Sequence, residues 1–528
     1  MATAPFKLHE NYWQLFNIES KDLEFLYNHL LELETPLTTK ELIDALVKER
    51  INIEKQALQN RQLSDGKVYI PMEHYQVGQT LIFPTLGWKK GKVINVRSGN
   101  NPEAVPFDVI ELEMEKGLKR QFAAGLAEHK LNRPIEINLD DPMLDHTKVM
   151  QQFGDQLAER LDEDLNGNPD LVRIAGSWFP KALLVDVNIG HLNLAEAALD
   201  MSGGGPLTTR NLLDQIDLQT DVNSKLTEFS LNYFLQEDQR FDEVGPSGEV
   251  VWFLHRLEPE GVRQLPHYLH YSPIDIPPVN LSDGLITLEH QLDDSSTVQY
   301  DEGIKVTEAV VSLIYPHWRV GTLPLSSRTI SLFPTALESP RIRFTLVDSD
   351  TGEKFPGWVV RPYHYIYGLR EWYLSQGLIP GSFVHVRRGK KPGEVLVQAE
   401  KRRSNREWIR TILVGADGGI VFAMLKQMVN ASFDERMAVS IPDVTALDQV
   451  WEVSAKQRTP LIDSVLLVMR ELTKLNPQGH VHAQELYAAL NVIRRCPPAI
   501  LFNILVTHPK FIHVGDLYYR MDETQQEN

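Results

Sequence analysis

Lysine and arginine residues concentrate between positions 341 and 411, where fourteen of them accompany only seven Asp and Glu residues. This basic segment has a net charge of +7, so the rest of the chain has −25 and the whole chain −18. Each Lys or Arg placed on a phosphate releases counterions, and Tyr and Arg side chains stack on bases or hydrogen-bond to base edges. The interleaved aromatic residues are Trp358, Tyr363, Tyr365, Tyr367 and Trp372. The segment predicts a DNA-contacting face; the alternative is a pair of solvated basic loops, 387–391 and 401–406, beside an aromatic core.

Signatures of catalysis and metal binding are missing from the sequence. It has no Walker-type phosphate loop, dinucleotide fingerprint, HExxH motif or Cys/His zinc spacing. The pairs His267/His270 and His480/His482 each lack an obvious third ligand. Residues 162–167 imitate the start of an EF-hand loop, but Arg173 stands where a bidentate Glu is needed. We therefore expect a non-enzymatic protein with no cofactor and no metal.

Length and composition predict a multi-domain globular protein. A chain of 528 residues corresponds to about three to four domains. The single cysteine, Cys496, cannot form an internal disulfide, which fits a reducing cytosol. No apolar run reaches 18 residues and the N-terminus lacks a secretory pattern, so we expect a cytoplasmic protein without a membrane partner, nucleoid association being one option. Net acidity argues against a general nucleic-acid-binding coat but leaves room for a local basic patch.

A nine-residue motif occurs twice, as PLTTKELID at 36–44 and PLTTRNLLD at 206–214, with six identical positions. Residues 480–488 are a looser third copy. In each case an amphipathic helix comes first: 21–34, 192–201 and 461–475. The Thr-Thr pair then supplies a helix N-cap in the first two copies, and Thr38 with Glu41 forms a capping box. A third helix follows at 52–60, 222–236 and 498–506.

Hairpin patterns complete the copies. Residues 241–254 and 511–520 have Gly at the tip and β-branched or aromatic flanks, and 64–70 is a shorter version with Asp-Gly at the turn. Three helices followed by a hairpin is the layout of a winged helix. These segments resemble winged helix-turn-helix domains, and the last is similar to the HARE-type subfamily found beside DNA-modifying and chromatin proteins.

The third helix of a winged helix usually enters the major groove. The second copy offers Asn223, Ser224, Lys225 and Thr227 there, but neighbouring acids would repel phosphates, which favours a protein-binding or architectural role. The first copy is a better DNA candidate, with Lys48, Arg50, Lys55, Asn60 and Arg61. The third offers Arg494, Arg495 and Lys510.

Residues 75–132 predict a compact antiparallel barrel, since glycines at 78, 87, 91 and 99 punctuate short alternating runs such as KVINV. The segment resembles the small Tudor-like, SH3-type barrels appended to helicases and transcription-coupling proteins.

A second strand-rich segment, 306–399, has strands flanking one short helix at 369–375, and Pro380-Gly381 turns the chain into the next strand. This order, with LREWY, GL and PG in sequence, resembles the B3-type DNA-binding pseudobarrel, although Ser382 replaces the family's usual Asp. The resemblance implies two DNA-gripping arms, here 319–328 and 361–365. The predicted DNA contacts are Arg319, Ser326, Ser327, Arg328, Arg361, Tyr363, His364, Arg387, Arg388, Lys390 and Lys391. Strand packing is the alternative role for one of Tyr363 and Tyr365.

The predicted fold class is α+β, with three winged helices, an SH3-like barrel and a B3-like pseudobarrel. The predicted segments are 1–74 winged helix, 75–132 barrel, 133–186 connector, 187–258 winged helix, 259–304 linker or strands, 305–412 pseudobarrel, 413–455 helical connector and 456–524 winged helix. The leading hypothesis is a DNA-binding, transcription- or nucleoid-associated protein whose partner is double-stranded DNA. The alternatives are a scaffold that binds transcription or repair proteins through its acidic modules, and the recognition subunit of a restriction or defence system.

Overall fold

The computed structural model describes residues 11–63, 67–83, 86, 89–100, 106–114, 118–132, 142–216, 218, 221–271, 279–297 and 306–522. The chain divides into two compact units. Unit 1 comprises residues 1–185 and 220–230, and unit 2 comprises residues 186–219 and 231–528. Helices and strands mix in both, so the predicted α+β class is confirmed.

Unit 1 contains a helical module and a five-stranded sheet. Its elements are α1 (Ser20–Leu33), β1 (Leu37–Thr38), α2 (Thr39–Leu63), β2 (Lys67–Val68), β3 (Thr80–Phe83), β4 (Lys89–Ser98), β5 (Asp108–Met114), β6 (Lys119–Ala124), α3 (His146–Asn166), β7 (Leu171–Ile174) and β8 (Ser177–Pro180).

The first module is discontinuous in sequence. β1 pairs with β8, and β8 with β7, so the hairpin of this module comes from residues 171–180. Its third helix is α3, because the predicted helix at 52–60 is part of the long α2. The predicted short hairpin at 64–70 is therefore wrong as the end of this module, and residues 64–66 lie outside the described part. The expected connector at 133–186 instead supplies half of the module.

A hydrogen-bond triad formed by the buried Thr39 and Trp178 and the half-buried Asp162 connects α2, β8 and α3 in the first module. Thr39 Oγ1 donates to Asp162 Oδ1 on α3 at 2.5 Å. Trp178 Nε1 on β8 donates to Thr39 Oγ1 at 3.0 Å. Because the indole is fully buried, its N–H needs such an acceptor, and the second Thr of the repeated motif provides it.

The five-stranded sheet of unit 1 lies between α2 and α3 in the chain. Its strand order is β2-β3-β4-β5-β6, antiparallel except for the β2–β3 pair. Inward-facing residues such as Leu81, Phe83, Ile110 and Leu112 form its core. The strands predicted within 75–132 are present, and β2 adds a strand before that segment.

Unit 2 contains two further helical modules, a seven-stranded sheet and a long hairpin. Its elements begin with α4 (Ile189–Met201), β9 (Leu207–Thr208), α5 (Thr209–Leu213), α6 (Ser224–Glu237, shared with unit 1), β10 (Phe241–Glu243), β11 (Val251–Leu254), α7 (Glu260–Arg263) and α8 (Asp283–Leu292). The sheet and its helices are β12 (Glu308–Ser312), α9 (Tyr315–Val320), β13 (Thr322–Pro324), β14 (Arg341–Asp348), β15 (Lys354–Val360), β16 (Tyr365–Tyr367), α10 (Arg370–Ser375), β17 (Phe383–Arg388) and β18 (Glu394–Ala399). The remaining elements are β19 (Lys401–Val414), β20 (Ile420–Ala431), α11 (Val444–Gln457), α12 (Leu461–Thr473), β21 (Val481–His482), α13 (Ala483–Ile493), α14 (Pro498–Thr507), β22 (Phe511–Gly515) and β23 (Tyr518–Met521).

The second module repeats the arrangement of the first. Its sheet has the order β10-β11-β9, so the short strand before the second helix again pairs with the last strand of the hairpin. Thr209 Oγ1 donates to Asn232 Oδ1 at 2.5 Å, and Trp252 Nε1 donates to the same oxygen at 3.0 Å. These three side chains are buried, so the repeated motif marks the same triad in both modules.

The third module, from α12 to β23, has the equivalent order β21-β23-β22. Ala483 replaces the second Thr, and Tyr519 lies on the last strand. The predicted first helices, the third helices of copies two and three, and both predicted hairpins in these copies are confirmed. The predicted caps are also present: Thr208 Oγ1 accepts from the Asn211 N–H at 3.2 Å.

The seven-stranded sheet is nearly closed and barrel-like, with the order β12-β17-β18-β14-β15-β16-β13. α9 follows β12 and α10 follows β16, close to the predicted short helix at 369–375. Inside, Ile342, Phe344 and Leu346 of β14 alternate into the core. On the outer side, Trp358 and Tyr365 pack with Phe253 of the second module, so this part of the sheet is buried on both faces.

The structure differs from the sequence-based expectation in one connector and adds helices to another. Residues 413–455 do not form a mainly helical bridge, because β19 and β20 pair into a long antiparallel hairpin before α11 begins. Buried and exposed residues alternate at both ends of β20, at positions 420–422 and 429–431. This alternation is typical of a strand. In the predicted linker at 259–304, the described residues contain helices α7 and α8 and no strand.

Among the described residues, no single helix is long and apolar enough to cross a membrane. One bent pair, Ala483–Ile493 with Pro498–Thr507, passes by length and composition alone.

Candidate nucleic-acid interface

The pairing register brings seven strand ends together on one side of the seven-stranded sheet. β12, β14, β16 and β18 begin there, and β13, β15 and β17 end there. We call this side the arm end. The cross-strand pairs that define it are Glu308–Arg387, Arg388–Val395, Glu394–Thr345, Arg341–Val360, Val360–Tyr365 and Pro324–Tyr365. Ten of the eleven residues predicted to contact DNA lie at this end, although they come from three separate segments of the chain.

The second predicted arm is a single turn of 3-10 helix between β15 and β16. Arg361 donates from its guanidinium to the Ser339 carbonyl at 2.9 Å, which fixes the start of the turn. Tyr363 is 39% exposed and its ring stacks on Tyr365 at 6.2 Å between centroids. His364 has a left-handed backbone, with φ 53°. Tyr363 is therefore the aromatic side chain that this turn presents to solvent.

Tyr365 takes the alternative role of strand packing. It is 1% exposed, and its hydroxyl donates to the Gly261 carbonyl at 2.6 Å. Trp358 and Trp372 are also buried. These aromatic residues of the basic segment belong to the core and cannot stack on bases.

The first predicted arm is divided between the two ends of the sheet by β13. Residues 326–328 follow β13 at the arm end, where the Leu325 N–H donates to the His364 carbonyl at 2.9 Å and joins the two arms. Arg328 is exposed and Ser327 half-buried. Ser326 is 1% exposed and its hydroxyl donates to Asp293 Oδ2 at 2.6 Å. Ser326 therefore has a structural partner and does not face solvent.

Arg319 lies apart from the other ten residues. It is on α9, at the opposite end of β13, where its guanidinium binds both carboxylate oxygens of Asp448 at 2.7 and 3.2 Å. It also lies 5.1 Å from the ring centre of Tyr268. The bond to Asp448 raises the pKa of Arg319 above its usual value. The prediction that Arg319 belongs with the arm contacts is not supported, because a carboxylate of α11 already holds its charge.

The β17–β18 hairpin supplies the remaining cations. Arg388 donates through Nε to the Ser331 carbonyl at 2.8 Å, which ties the hairpin to the segment after the first arm. Arg387 donates to Gln398 Oε1 at 2.6 Å. Lys390 and Lys391 lie in the exposed tip of the hairpin. The exposed lysines are therefore held beside the arms by a fixed scaffold.

Many other cations of the basic segment have partners inside the chain. Arg341 contacts Asp242, Lys354 contacts Glu394 at 2.6 Å, and Arg410 contacts Glu485 at 3.1 Å. The Arg343 guanidinium lies over both the Phe253 and the Trp358 ring, at 5.2 and 5.5 Å from their centres. The net charge of +7 therefore overstates the charge available to a phosphate chain. At the arm end, by contrast, Arg361 and Arg388 donate to backbone carbonyls and form no ion pair with any of the described residues.

Three of the predicted recognition residues of the helical modules, Arg50, Thr227 and Arg495, are buried. Lys48, Asn223, Ser224 and Lys225 are exposed, and the side chains of Asn60 and Arg61 lie outside the described part. Arg495 is 2% exposed at its side chain and pairs with Asp294 at 2.6 Å. Burial alone would raise the pKa of Asp294, but Arg495 and the Tyr487 hydroxyl lower it. Arg50 donates through Nε to Asp22 at 2.6 Å inside the first module. Arg50 and Arg495 therefore stabilise their modules and are not available to DNA.

Sequence reasoning missed one cluster of potential metal ligands. Asp242, His255 and Glu258 offer ligand atoms within 4.8 Å of one another. The sequence did not predict this cluster, because Asp242 is distant from the other two residues in sequence and the three form no known ligand motif. The Arg341 guanidinium already contacts Asp242 and lies 3.8 Å from Glu258, so a cation occupies this position. Burial and the neighbouring Asp242 raise the pKa of Glu258 to about 8.

Comparison with known proteins gives no relative. No protein-family model, curated protein or solved structure matches this chain.

Proposed function

We propose that this protein is a non-enzymatic DNA-binding protein that holds duplex DNA mainly at the arm end of the seven-stranded sheet. The observation that supports this most is the convergence of residues 326–328, 361–364 and 387–391 at one end of one sheet. The contacts we propose are Ser327, Arg328, Arg361, Tyr363, His364, Arg387, Arg388, Lys390 and Lys391. Arg319 and Ser326 are left out because both have partners inside the protein.

The order of elements supports the proposed assignment of domains. Seven strands with a helix after the first and a helix after the fifth fit the B3-like pseudobarrel that the sequence resembles. The three modules, each with a short strand paired to the end of a hairpin, fit winged helices. The five-stranded sheet of unit 1 fits an SH3-like barrel. Each assignment is supported by element order.

Binding at the arm end would combine two kinds of contact. Arg328, Lys390 and Lys391 are exposed cations suited to phosphate oxygens, and each such contact makes binding weaken with salt. Tyr363 and His364 lie between them and can reach base edges in a groove. The acidic helical modules are then spacers or binding surfaces for protein partners. Any additional weak DNA contacts on the same chain raise the effective concentration of the arm end near the DNA.

A double substitution at the hairpin tip tests the proposal. Lys390→Ala with Lys391→Ala removes two exposed cations whose ammonium groups form no hydrogen bond or ion pair with the described part of the chain. We expect affinity for a random-sequence duplex, measured by fluorescence anisotropy at low salt, to fall about five- to tenfold.

The control substitution is Arg403→Ala with Arg406→Ala. It removes the same charge from the exposed part of β19, which leaves the sheet at the opposite end. Affinity should change less than twofold. Equal losses in the two variants, or no duplex binding by the unmodified protein, would contradict the proposal. Magnesium-dependent cleavage of the duplex by the purified chain would contradict the non-enzymatic part.

A scaffold that binds other proteins is the second candidate, because the β19–β20 hairpin has an exposed apolar face. Trp408 and Met428 are each 61% exposed and Met424 is 41% exposed, and register places them on one face with Lys426. Trp and Met are enriched at protein interfaces. If this face is the main functional surface, Trp408→Ala will abolish complex formation with a transcription or repair protein while duplex binding is absent from the start.

A further inference from the structure

A cleft of about 420 Å³ lies between the residues before α8, the end of α11 and the turn that joins α13 to α14. Its basic lining residues are His267, His270, Arg458, Arg494 and Arg495. No Asp or Glu occurs among the described residues that line it. The apolar part of the lining includes Trp451, Cys496 and Ile500. The cleft therefore combines several cationic or potentially cationic groups with a wall that suits a ring.

Among the described residues that line the cleft, no carboxylate compensates the charge of Arg494. Its guanidinium donates to the Thr459 carbonyl, which is a neutral partner. Burial lowers the pKa of Arg494, as expected for a cation withdrawn from water without a carboxylate beside it. Arg495 differs, because Asp294 pairs with it at 2.6 Å. Arg494 is thus the partly buried cation that an incoming anion would stabilise.

Arg458 provides a second cation at the rim. It ends α11 with a left-handed backbone, φ 50°, and its amide donates to the Ala455 carbonyl. This cap turns the chain toward Thr459, whose carbonyl holds Arg494. The side chain is exposed, so it is free to move onto a ligand. The α11 cap therefore places two arginines beside one opening.

Aromatic groups lie next to these arginines. Trp451 is 5% exposed and is fixed by its Nε1 donating to the Val492 carbonyl at 2.8 Å. The His267 ring contacts it edge-on at 5.5 Å between centroids. His267 is exposed and Tyr271 half-buried, so both can contact a planar ring. The volume lies within the range for small-molecule sites, roughly 300–1,000 Å³.

We propose that this cleft binds a phosphate monoester attached to a planar ring, as in a nucleotide. Arg458 and Arg494 bind the phosphate, and His267 and Tyr271 contact the ring. The phosphate can belong to a free nucleotide or to the 5′ end of a DNA strand. This proposal does not rest on duplex binding at the arm end, because none of these residues belongs to that surface.

Calorimetry with adenosine 5′-monophosphate, adenosine and inorganic phosphate tests the proposal on the full chain. We expect the monophosphate to bind about tenfold more tightly than adenosine, since only the former reaches the arginines. Arg458→Ala should weaken monophosphate binding about fivefold or more and leave adenosine binding unchanged. Arg494→Gln should act in the same direction, with thermal unfolding showing whether it remains folded.

Arg470→Ala is the matched control, because Arg470 is exposed on α12 and does not line the cleft. It should bind the monophosphate as the unmodified protein does. Equal affinity for the monophosphate and adenosine, or an unchanged affinity in Arg458→Ala, would overturn the proposal. So would the absence of heat at millimolar monophosphate.

Single-stranded oligonucleotides with a 5′-phosphate or a 5′-hydroxyl distinguish the two sources. A preference for the 5′-phosphate that Arg458→Ala removes assigns the cleft to DNA ends. A preference seen only with the free monophosphate assigns it to a nucleotide. Duplex binding by Arg458→Ala should stay normal in both cases, so failure of this inference is distinguishable from failure of the proposed function.

Discussion

Arg319, Arg341 and Arg495 are each held by carboxylates of the same chain, although the sequence presents them as basic residues without partners. Their partners, Asp448, Asp242 and Asp294, are 99 to 201 positions away in sequence. Such distances give no local pattern, so charge counts along the sequence cannot show which cations are neutralised. The exposed Lys390 and Lys391 differ because they occupy a hairpin tip, where they form no ion pair within 4 Å with any described residue.

The Arg319–Asp448 pair gives a prediction about stability. We expect Arg319→Ala to destabilise the protein by about 1–3 kcal/mol, because Asp448 and the Tyr268 hydroxyl that donates to it at 2.5 Å lose a charged partner. Duplex affinity should stay unchanged under conditions where the variant is folded. Chemical denaturation measures the stability and fluorescence anisotropy measures the duplex affinity. Loss of DNA binding with unchanged stability would show that Arg319 contacts DNA and would contradict this prediction.

Glu258 gives a prediction about pH. Its pKa is raised to about 8 in the folded protein, above the value of 4.5 for an ordinary Glu. The folded state therefore binds the proton more tightly, and this carboxyl lowers stability as pH rises from about 4.5 to 8. Glu258→Gln should flatten this part of the profile and raise stability at pH 8 by at least about 1 kcal/mol. Denaturant unfolding at pH 5 and pH 8 checks it, and an unchanged pH dependence would contradict it.

The elements were predictable where a local pattern fixes them. The repeated PLTT motif indicated a cap followed by a helix, and Thr208 performs that role. The motif did not show that its second Thr bonds to a tryptophan of the hairpin, since Trp178 is 139 residues from Thr39. β20 was expected to be helical because its Met and Leu residues have high helix propensity. Pairing with β19 overrides that local preference.

The triad of the second module predicts a specific loss of stability. Asn232→Leu leaves the Thr209 hydroxyl and the Trp252 indole N–H without their main acceptor in a buried site. We expect the free energy of unfolding to fall by at least about 2 kcal/mol. Asn211→Leu is the control, because its side chain is exposed on α5, and it should change stability by less than about 0.5 kcal/mol. Similar effects of the two substitutions, measured by urea unfolding, would argue against a structural triad.

The whole chain contains a discontinuous first module, which no linear scan for domains would reveal. The helices α1 and α2 are separated from α3 and from the β7–β8 hairpin by the five-stranded sheet. A boundary at residue 74 looked natural because a Gly-rich strand pattern begins just after it. The cross-strand pairs of Leu37 with Trp178 and of Thr38 with Ser177 show that both parts form one body.

Fragments of unit 1 test this organisation. A fragment of residues 1–132 lacks α3 and the strand that pairs with β1, and it leaves Leu26, Leu42 and Leu46 without part of their core. We expect α1 and α2 in this fragment to show little amide protection, whereas residues 1–185 should show protected amides throughout the module. Equal protection in the two fragments, measured by hydrogen exchange, would contradict the discontinuous module.

At the same scale, net acidity and DNA binding are compatible because three exposed cations, Arg328, Lys390 and Lys391, lie together at one end of one sheet. The central claim concerns that end, and the salt dependence of duplex affinity tests it most directly. The slope of log affinity against log salt counts the phosphate contacts, at about 0.9 for each. We predict that Lys390→Ala with Lys391→Ala lowers the magnitude of this slope by about 1.8, while Arg403→Ala with Arg406→Ala leaves it unchanged. An identical slope in the unmodified protein and the hairpin variant would contradict the account.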